Sequence, residues 1–283
     1  MASKPTIAII GPGRLGCALG QELQHAGYRV TEIVAGNSSA SRRKARALAK
    51  RFHAMAAKSA ARLEADVVWF CVPDREIAKA AGEMAGASQW KGKVAFHSSG
   101  ALASDELSVL RQRGAAVAAV HPLMTFVRGS VPSLQGVPVA LEGDAKAVGA
   151  ARDLARNLGA KAFSISKTKK SAYHAWGAFA SPLLISLLVS AEKVAQAAGI
   201  SRVDARKKML PMVRQTLANY AKLGPAAAFS GPVVRGDAHV VGQHLRELKK
   251  IPEAREVYVA MVRAALRYLP VRNRKDLVRI LRD

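Results

Sequence analysis

Residues 6–16 read Thr6-Ile7-Ala8-Ile9-Ile10-Gly11-Pro12-Gly13-Arg14-Leu15-Gly16. A short, uninterrupted apolar run flanked by turn residues is the pattern of a buried strand. The glycine spacing that follows, leading into a helix-forming segment, is that of a strand–turn–helix that cradles phosphate. In such a turn Gly11 allows the sharp bend, Gly13 lets the backbone approach a diphosphate, and Gly16 lets helix and strand pack closely. The first helical turn, starting at Arg14 and Leu15, then offers unpaired N–H groups and a partial positive charge to the anion.

Working outward, strand-like runs recur at residues 29–35, 66–72, 93–96, 115–120, 137–141 and 161–165, with helical segments between several of them. The run Asp66-Val67-Val68-Trp69-Phe70-Cys71-Val72 is too short and too uniformly apolar for a surface helix and reads as a central parallel strand. Alternation of this kind predicts an α/β fold, a doubly wound parallel sheet over residues 1–165. Beyond residue 165 strand-like runs disappear. Helical periodicity takes over at 171–198, 202–222, 238–248 and 252–269, with a short terminal helix and with Gly199 and Gly224 as stops. Residues 166–283 are therefore expected to form an all-helical C-terminal domain, in which Asp237 caps a helix.

Composition narrows the function classes. The 283 residues include 44 Lys and Arg against 20 Asp and Glu, a formal charge of +24. The excess is +10 up to residue 165 and +14 beyond it, so no single basic tail carries it. No aromatic interleaving or nucleic-acid motif accompanies the basic runs, which predicts salt-sensitive attraction to polyanions and no specific nucleic-acid partner. Cys17 and Cys71 show no paired spacing, there is no metal-ligand spacing, and the first residues lack the pattern of a secretory signal, so a reducing cytoplasm is expected. Residues 175–191 are apolar but are interrupted by Ser181, Pro182, Ser186 and Ser190, and read as a buried helix with no membrane role.

The strand that follows the glycine turn ends without a carboxylate, in Gly36-Asn37-Ser38-Ser39-Ala40-Ser41-Arg42-Arg43. An acidic residue there would accept from a free ribose 2′-hydroxyl. The small donors Asn37 and Ser38 with the guanidinium groups of Arg42 and Arg43 suit a 2′-phosphate instead, so NADP is expected over NAD. In a doubly wound sheet the ligand lies at the carboxyl ends of the strands. Three such ends carry chemistry: Val72-Pro73-Asp74, Phe96-His97-Ser98-Ser99-Gly100 and Val120-His121-Pro122. Val72, Pro73 and Ser99 are expected to border the cofactor, with His97 and Ser98 at the reacting ring and His121 toward substrate. Lys170 and His174, four apart on a helix, are candidate proton donors for a carbonyl or imine. Arg235 is positioned in sequence to clamp a substrate carboxylate, with His244 reaching the same cleft.

Four stretches carry a family resemblance: IIGPGRLG, HSSGALASDELSVLRQRGAAVAAVHPLMTF, YHAWGAFASPLL and SGPVVRGDAHVVGQHL. Together they resemble Rossmann-like proteins with a C-terminal domain of unknown function. These are similar in plan to 6-phosphogluconate dehydrogenase, ketopantoate reductase, prephenate dehydrogenase and pyrroline-carboxylate reductase. The resemblance implies a nucleotide-binding domain followed by a helical domain that forms a homodimer. Taken with the NADP expectation from residues 36–43, the reading is NADP-dependent hydride transfer to or from a small carbonyl, hydroxy or imino substrate. The chain departs from the hydroxyacid dehydrogenases in having Lys170 and His174 where they have Lys and Asn, and Ser181-Pro182 where relatives have Ser-Asn. The competing expectation is a catalytically silent NADP-binding sensor or regulatory protein.

Overall fold

The apolar run after Thr6 forms β1 (Ile7–Ile10), buried at all four positions. Seven more strands follow: β2 (Val30–Val34), β3 (Met55–Ala57), β4 (Val67–Phe70), β5 (Val94–His97), β6 (Ala116–Pro122), β7 (Pro138–Gly143) and β8 (Lys161–Ser164). The structure, a computed structural model, describes residues 4–58, 61–130 and 132–282. The strands form one sheet in the order β3-β2-β1-β4-β5-β6-β7-β8. From β1 the chain moves outward through β2 to β3, then returns to add β4 on the other side. The direction of winding thus reverses between β1 and β4, which opens a crevice at their carboxyl ends.

The helices α1 (Arg14–His25), α2 (Ser39–Phe52), α3 (Ile77–Ala85), α4 (Ser108–Arg111) and α5 (Ala145–Asn157) connect these strands. α1 buries Gly16, Leu19, Gly20 and Leu23 at helical spacing. α2 is capped by Ser38, whose hydroxyl accepts from the Ser41 N–H, and buries Ala45, Leu48, Ala49 and Phe52. One core layer is built around Ile7, Ile9, Leu19, Trp69, Phe96 and Leu154, the other around Ala8, Ile10, Phe70, Ile77, Met84 and Trp90.

Two features depart from the expected parallel sheet. β6 and β7 pair antiparallel, with His121 opposite Ala140. The described residues between them contain no helix, and a return without a crossover helix gives an antiparallel neighbour. The second is an additional edge strand, β3, which the sequence pattern does not predict and which pairs parallel with β2.

The helical part comprises α6 (Lys170–Ala180), α7 (Pro182–Ala197), α8 (Arg202–Ala228), α9 (Pro232–Arg235), α10 (Ala238–Leu248), α11 (Pro252–Tyr268) and α12 (Arg274–Ile280). The single helix expected over 171–198 is broken at Ser181, whose backbone leaves the helical region (φ −130°, ψ −83°) before Pro182 starts α7. α8 is interrupted at Gly224 (φ 75°, ψ 172°). The chain divides into two compact units, one ending at Ala178 and the other starting at Phe179. The first unit thus runs past the last strand, because the opening turns of α6 pack on it: the Tyr173 ring lies 6.0 Å from Phe163 and 5.5 Å from His121. The second unit has its own core of Val241, Leu245, Val259, Val262, Leu266 and Leu277. Asp237 caps α10 by accepting from Val240 N–H at 3.1 Å.

The burial expected for residues 175–191 is not met within the chain. Phe179 is 71% and Ile185 59% exposed, and the one buried residue of α7 is Glu192, paired with Arg202 and Arg206 of α8.

Candidate active site

A cleft of about 630 Å³ opens where the strand order reverses, between the ends of β1, β2 and β4. Its floor is Gly11 to Gly13. Gly11 holds φ +103°, and a Cβ there would lie 2.9 Å from the Cys71 carbonyl oxygen; a Cβ on Gly16 would come within 2.2 Å of the Gly11 carbonyl oxygen. Both glycines are therefore required by the protein's own packing. Gly13 differs: its nearest neighbour to an added Cβ is 3.9 Å away, so no atom of the described residues fills the space above it. Gly13 is also the N-cap of α1 and supplies no side-chain bond to the helix end. The N–H groups of the first turn, from Arg14 through Leu15 to Gly16, face an open cradle of the kind that holds a diphosphate. The Arg14 side chain is exposed, and that of Leu15 packs toward the core.

At the β2 end, Asn37, Ser38, Ser41 and Lys44 line the cleft, and no carboxylate occurs between Glu32 and Glu64. Glu32 itself is buried, accepting from the Glu64 N–H at 2.8 Å and from the Thr31 hydroxyl, and is unavailable to a ribose. The basic contribution comes from different residues than expected. Arg42 donates to the Asn37 carbonyl, and neither Arg42 nor Arg43 lines the cleft, whereas Lys44 does. The phase of α2 explains this. With Ala45, Leu48 and Ala49 turned inward, Ser41 and Lys44, three apart, share the cleft side. The opposite wall carries Val72 and Pro73, together with Arg75, Glu76 and Lys79.

At the ends of β5 and β6 the structure separates residues that look alike in sequence. His97 is fully buried; its Nε2 bonds the Ala103 carbonyl at 2.9 Å and its Nδ1 accepts from the Ser99 N–H at 3.2 Å. Burial pushes its pKa down to about 4. With both nitrogens engaged by backbone, His97 fixes a turn and does not face the cleft. Ser99 is likewise consumed: its hydroxyl donates to Asp74 at 2.7 Å and accepts from the N–H groups of Ala101 and Leu102. Ser98 accepts from the Trp69 indole N–H at 2.8 Å, which leaves its own hydroxyl proton free to donate.

Lys170, expected as a proton donor, is 1% exposed and donates to the Ser99 carbonyl at 3.2 Å. Burial lowers its pKa, and the carboxylates of Glu142 and Asp74 partly restore it. The ammonium is thus a tie between α6 and the turn after β5, not an open donor. Its neighbour on the buried face of α6 is Tyr173, three residues on, while His174 is exposed. Tyr173 Oη lies 2.7 Å from His121 Nδ1, and the rings of His121 and His174 are 6.2 Å apart. A Cβ on Gly100 would lie 2.7 Å from His174 Cδ2 and 2.9 Å from His121 Nε2. Gly100, His121 and His174 therefore converge at the strand ends, and Ser98 lies two residues before Gly100. Tyr173, Asp74, Gly100 and Lys44 were not singled out by sequence reasoning. The signal for Tyr173 was the i, i+3 spacing from Lys170, which places the two on one helix face.

Arg235 and His244 belong to the second unit. Arg235 is exposed at the end of α9, and His244 Nδ1 meets Tyr258 Oη at 3.0 Å in an apolar groove between α7, α10 and α11.

The reversed strand order, the glycine turn and the helices that follow define a Rossmann-like fold with a helical second unit. Residues 2–122 match the Rossmann-like domain, and residues 137–265 match a domain of unknown function, DUF2520. The chain thus carries a segment that matches Rossmann-like domains followed by one that matches DUF2520, in the order its motifs resemble. In three dimensions it is similar to a Bacteroides fragilis protein provisionally described as an NADP oxidoreductase, with a TM-score of 0.77 and 20% identity over 92% of this chain and 97% of that one. It is also similar to protein TM1727 of Thermotoga maritima (TM-score 0.71, 25% identity, 91% and 96% covered). A third similar structure is an imine reductase from Myxococcus stipitatus in complex with NADP+ (TM-score 0.66, 20% identity, 93% and 94% covered). At these identities the likeness is one of fold. No curated protein matches the sequence.

Proposed function

We propose that the protein is an NADP(H)-dependent oxidoreductase acting on a small carbonyl, hydroxy or imino substrate. The observation that carries this reading is the unfilled space over Gly13 at the uncapped start of α1, continuous with a cleft whose β2 end has Lys44, Ser38 and Ser41 and no free carboxylate. The α1 N–H groups would hold the diphosphate and Lys44 the 2′-phosphate, while Val72 and Pro73 line the facing wall. The naming of similar folds as NADP oxidoreductases and imine reductases supports the same choice. When bound, NADPH supplies a hydride. The protein's part is to orient the substrate at the strand ends, where Gly100, His121 and His174 meet, and to handle the proton that accompanies hydride transfer.

The silent-sensor reading has one observation in its favour: His97, Ser99 and Lys170 are all committed to bonds within the protein. Calorimetric titration followed by a turnover screen at the nicotinamide absorbance separates the two. NADPH is expected to bind about tenfold tighter than NADH, the scale of one charge-assisted contact. Tighter NADH binding defeats the cofactor assignment, and tight NADPH binding without turnover favours the sensor.

We further propose a homodimer through the helical unit. The exposed apolar side chains of Leu183, Ile185 and Val189 on α7 and of Met212, Leu217 and Tyr220 on α8 support it. Residues 167–197 are apolar enough to be weighed as a membrane span, but the break at Ser181 would leave backbone groups unpaired in hydrocarbon. Free Cys17 and Cys71 fit a reducing, cytoplasmic setting.

A further inference from the structure

We propose that His121, its tautomer fixed by Tyr173, presents an Nε2–H to the substrate's carbonyl oxygen or neutral imine nitrogen and delivers the proton there. The inference rests on the oxidoreductase reading above and adds to it the identity of the donor and the kind of atom it recognises.

The tautomer follows from the hydroxyl. Tyr173 is buried, and its Oη has one bonding partner among the described residues, His121 Nδ1 at 2.7 Å. A buried hydroxyl proton must find an acceptor, so Tyr173 donates and Nδ1 accepts. Burial also pushes the tyrosine pKa up to about 12, which keeps the proton on the oxygen. With Nδ1 accepting, the ring hydrogen of the neutral imidazole sits on Nε2. The ring is kept neutral by its surroundings. Burial lowers its pKa to about 4, aided by the positive charge of Lys170 and by His174 and His97, with Asp74 opposing; Glu142 on β7 acts on Lys170.

Nε2 lies at the strand ends. It packs over Gly100 at the end of β5, with His174 closing on the same glycine from α6. No described protein group bonds Nε2, in contrast to His97, where both nitrogens are taken. A neutral N–H donor pairs with an acceptor atom and not with a protonated iminium nitrogen, which is itself a donor.

The proton balance closes. As the hydride from reduced nicotinamide forms the new C–H bond, the C=O or C=N π pair moves to the heteroatom, which takes the Nε2 proton. Nδ1 takes the Tyr173 proton, leaving a tyrosinate. A proton from solvent at Nε2 and return of the Nδ1 proton to the tyrosine oxygen restore the starting state. His121 is the catalytic donor and Tyr173 acts through it.

The test uses the full chain labelled with 15N-histidine, with the His121 ring assigned by its loss in His121→Gln. In the NADP+ complex, His121 is expected to show a protonated Nε2 and an unprotonated, hydrogen-bonded Nδ1. Cyclohexanone, pyruvate or 1-pyrroline, which cannot react without hydride, should shift the Nε2 resonance saturably in at least one case. Tyr173→Phe should mix the two tautomers while leaving NADP+ affinity unchanged. With NADPH and whichever probe is turned over, His121→Gln should lower kcat by about 100-fold or more with little change in KM. An Nδ1–H tautomer in the unsubstituted protein overturns the inference. So does an Nε2 resonance indifferent to all three probes, or full kcat in His121→Gln. Failure to bind NADP+ at all defeats the oxidoreductase reading instead.

Discussion

Gly13 and Gly16 stand three residues apart in one turn, yet a methyl group added to each meets different surroundings. At Gly16 it collides with the Gly11 carbonyl oxygen at 2.2 Å, so Gly16→Ala should destabilise the fold by about 1–3 kcal/mol, read as a lower urea midpoint. At Gly13, whose φ of −79° alanine adopts freely, the methyl meets nothing closer than 3.9 Å. Gly13→Ala should therefore keep the stability and lose NADPH affinity; unchanged affinity would mean that no diphosphate approaches there. A pH effect belongs to the same scale. His97 titrates at about 4 in the fold against an ordinary 6.5, so between those values the unfolded chain takes up a proton that the native ring refuses. Its contribution is complete above pH 6.5 and is lost as pH falls through 4, up to about 3 kcal/mol. His121 adds in the same direction. Urea unfolding at about pH 7.5 and about pH 5 should show the loss, and His97→Gln should flatten the profile while lowering stability at the higher pH. In sequence His97 and His121 look alike as histidines near strand ends, one placed at the reacting ring and the other toward substrate. What separates them is the local turn: Ser99 and Ala103 close on His97, whereas β6 carries His121 beyond its β5 neighbour to Tyr173.

Elements were legible to the extent that their apolar pattern was their own. The buried strands of the sheet declare themselves by short apolar runs, and the helices α10 and α11 by periodicity. β3 does not, because Met55 to Ala57 is a three-residue edge strand with two exposed positions, and the reversed direction of β7 has no signature in its residues. α2 shows how one turn of phase redirects a functional assignment. Two adjacent arginines invite attention, but the buried Ala45–Leu48–Ala49 face turns Lys44 to the cleft and Arg43 away. Lys44→Ala should cut the preference for NADPH over NADH about tenfold in paired calorimetric titrations, and Arg43→Ala should leave it within about twofold, as expected for a solvated charge. The opposite ranking would return the 2′-phosphate to Arg43.

At the scale of the molecule, two properties pull association in opposite directions. Each chain carries +24, so two copies repel, while α7 and α8 expose side chains that one copy cannot cover, Ile185 and Tyr220 at 59% each and Met212 at 67%. An apolar helical run shows that a helix has an apolar face and not what covers it, so residues 175–191 read as buried although this chain leaves Phe179 and Ile185 exposed. Salt separates the forces. Added salt shortens the Debye length to about 8 Å at physiological strength, relaxing the repulsion without weakening apolar burial. A dimer built on these faces should therefore tighten as salt rises, whereas attraction to polyanions, which releases counterions, should weaken. Light scattering coupled to size exclusion should find twice the 30.0 kDa of the chain, with the dimer favoured at higher salt. Ile185→Asp would place a carboxylate in the contact and should give monomers that still bind NADPH, because the glycine cradle lies wholly within the first unit. A monomer at every salt concentration, or a dimer indifferent to Ile185→Asp and to a second change at Leu217→Asp, would remove these helices as the interface.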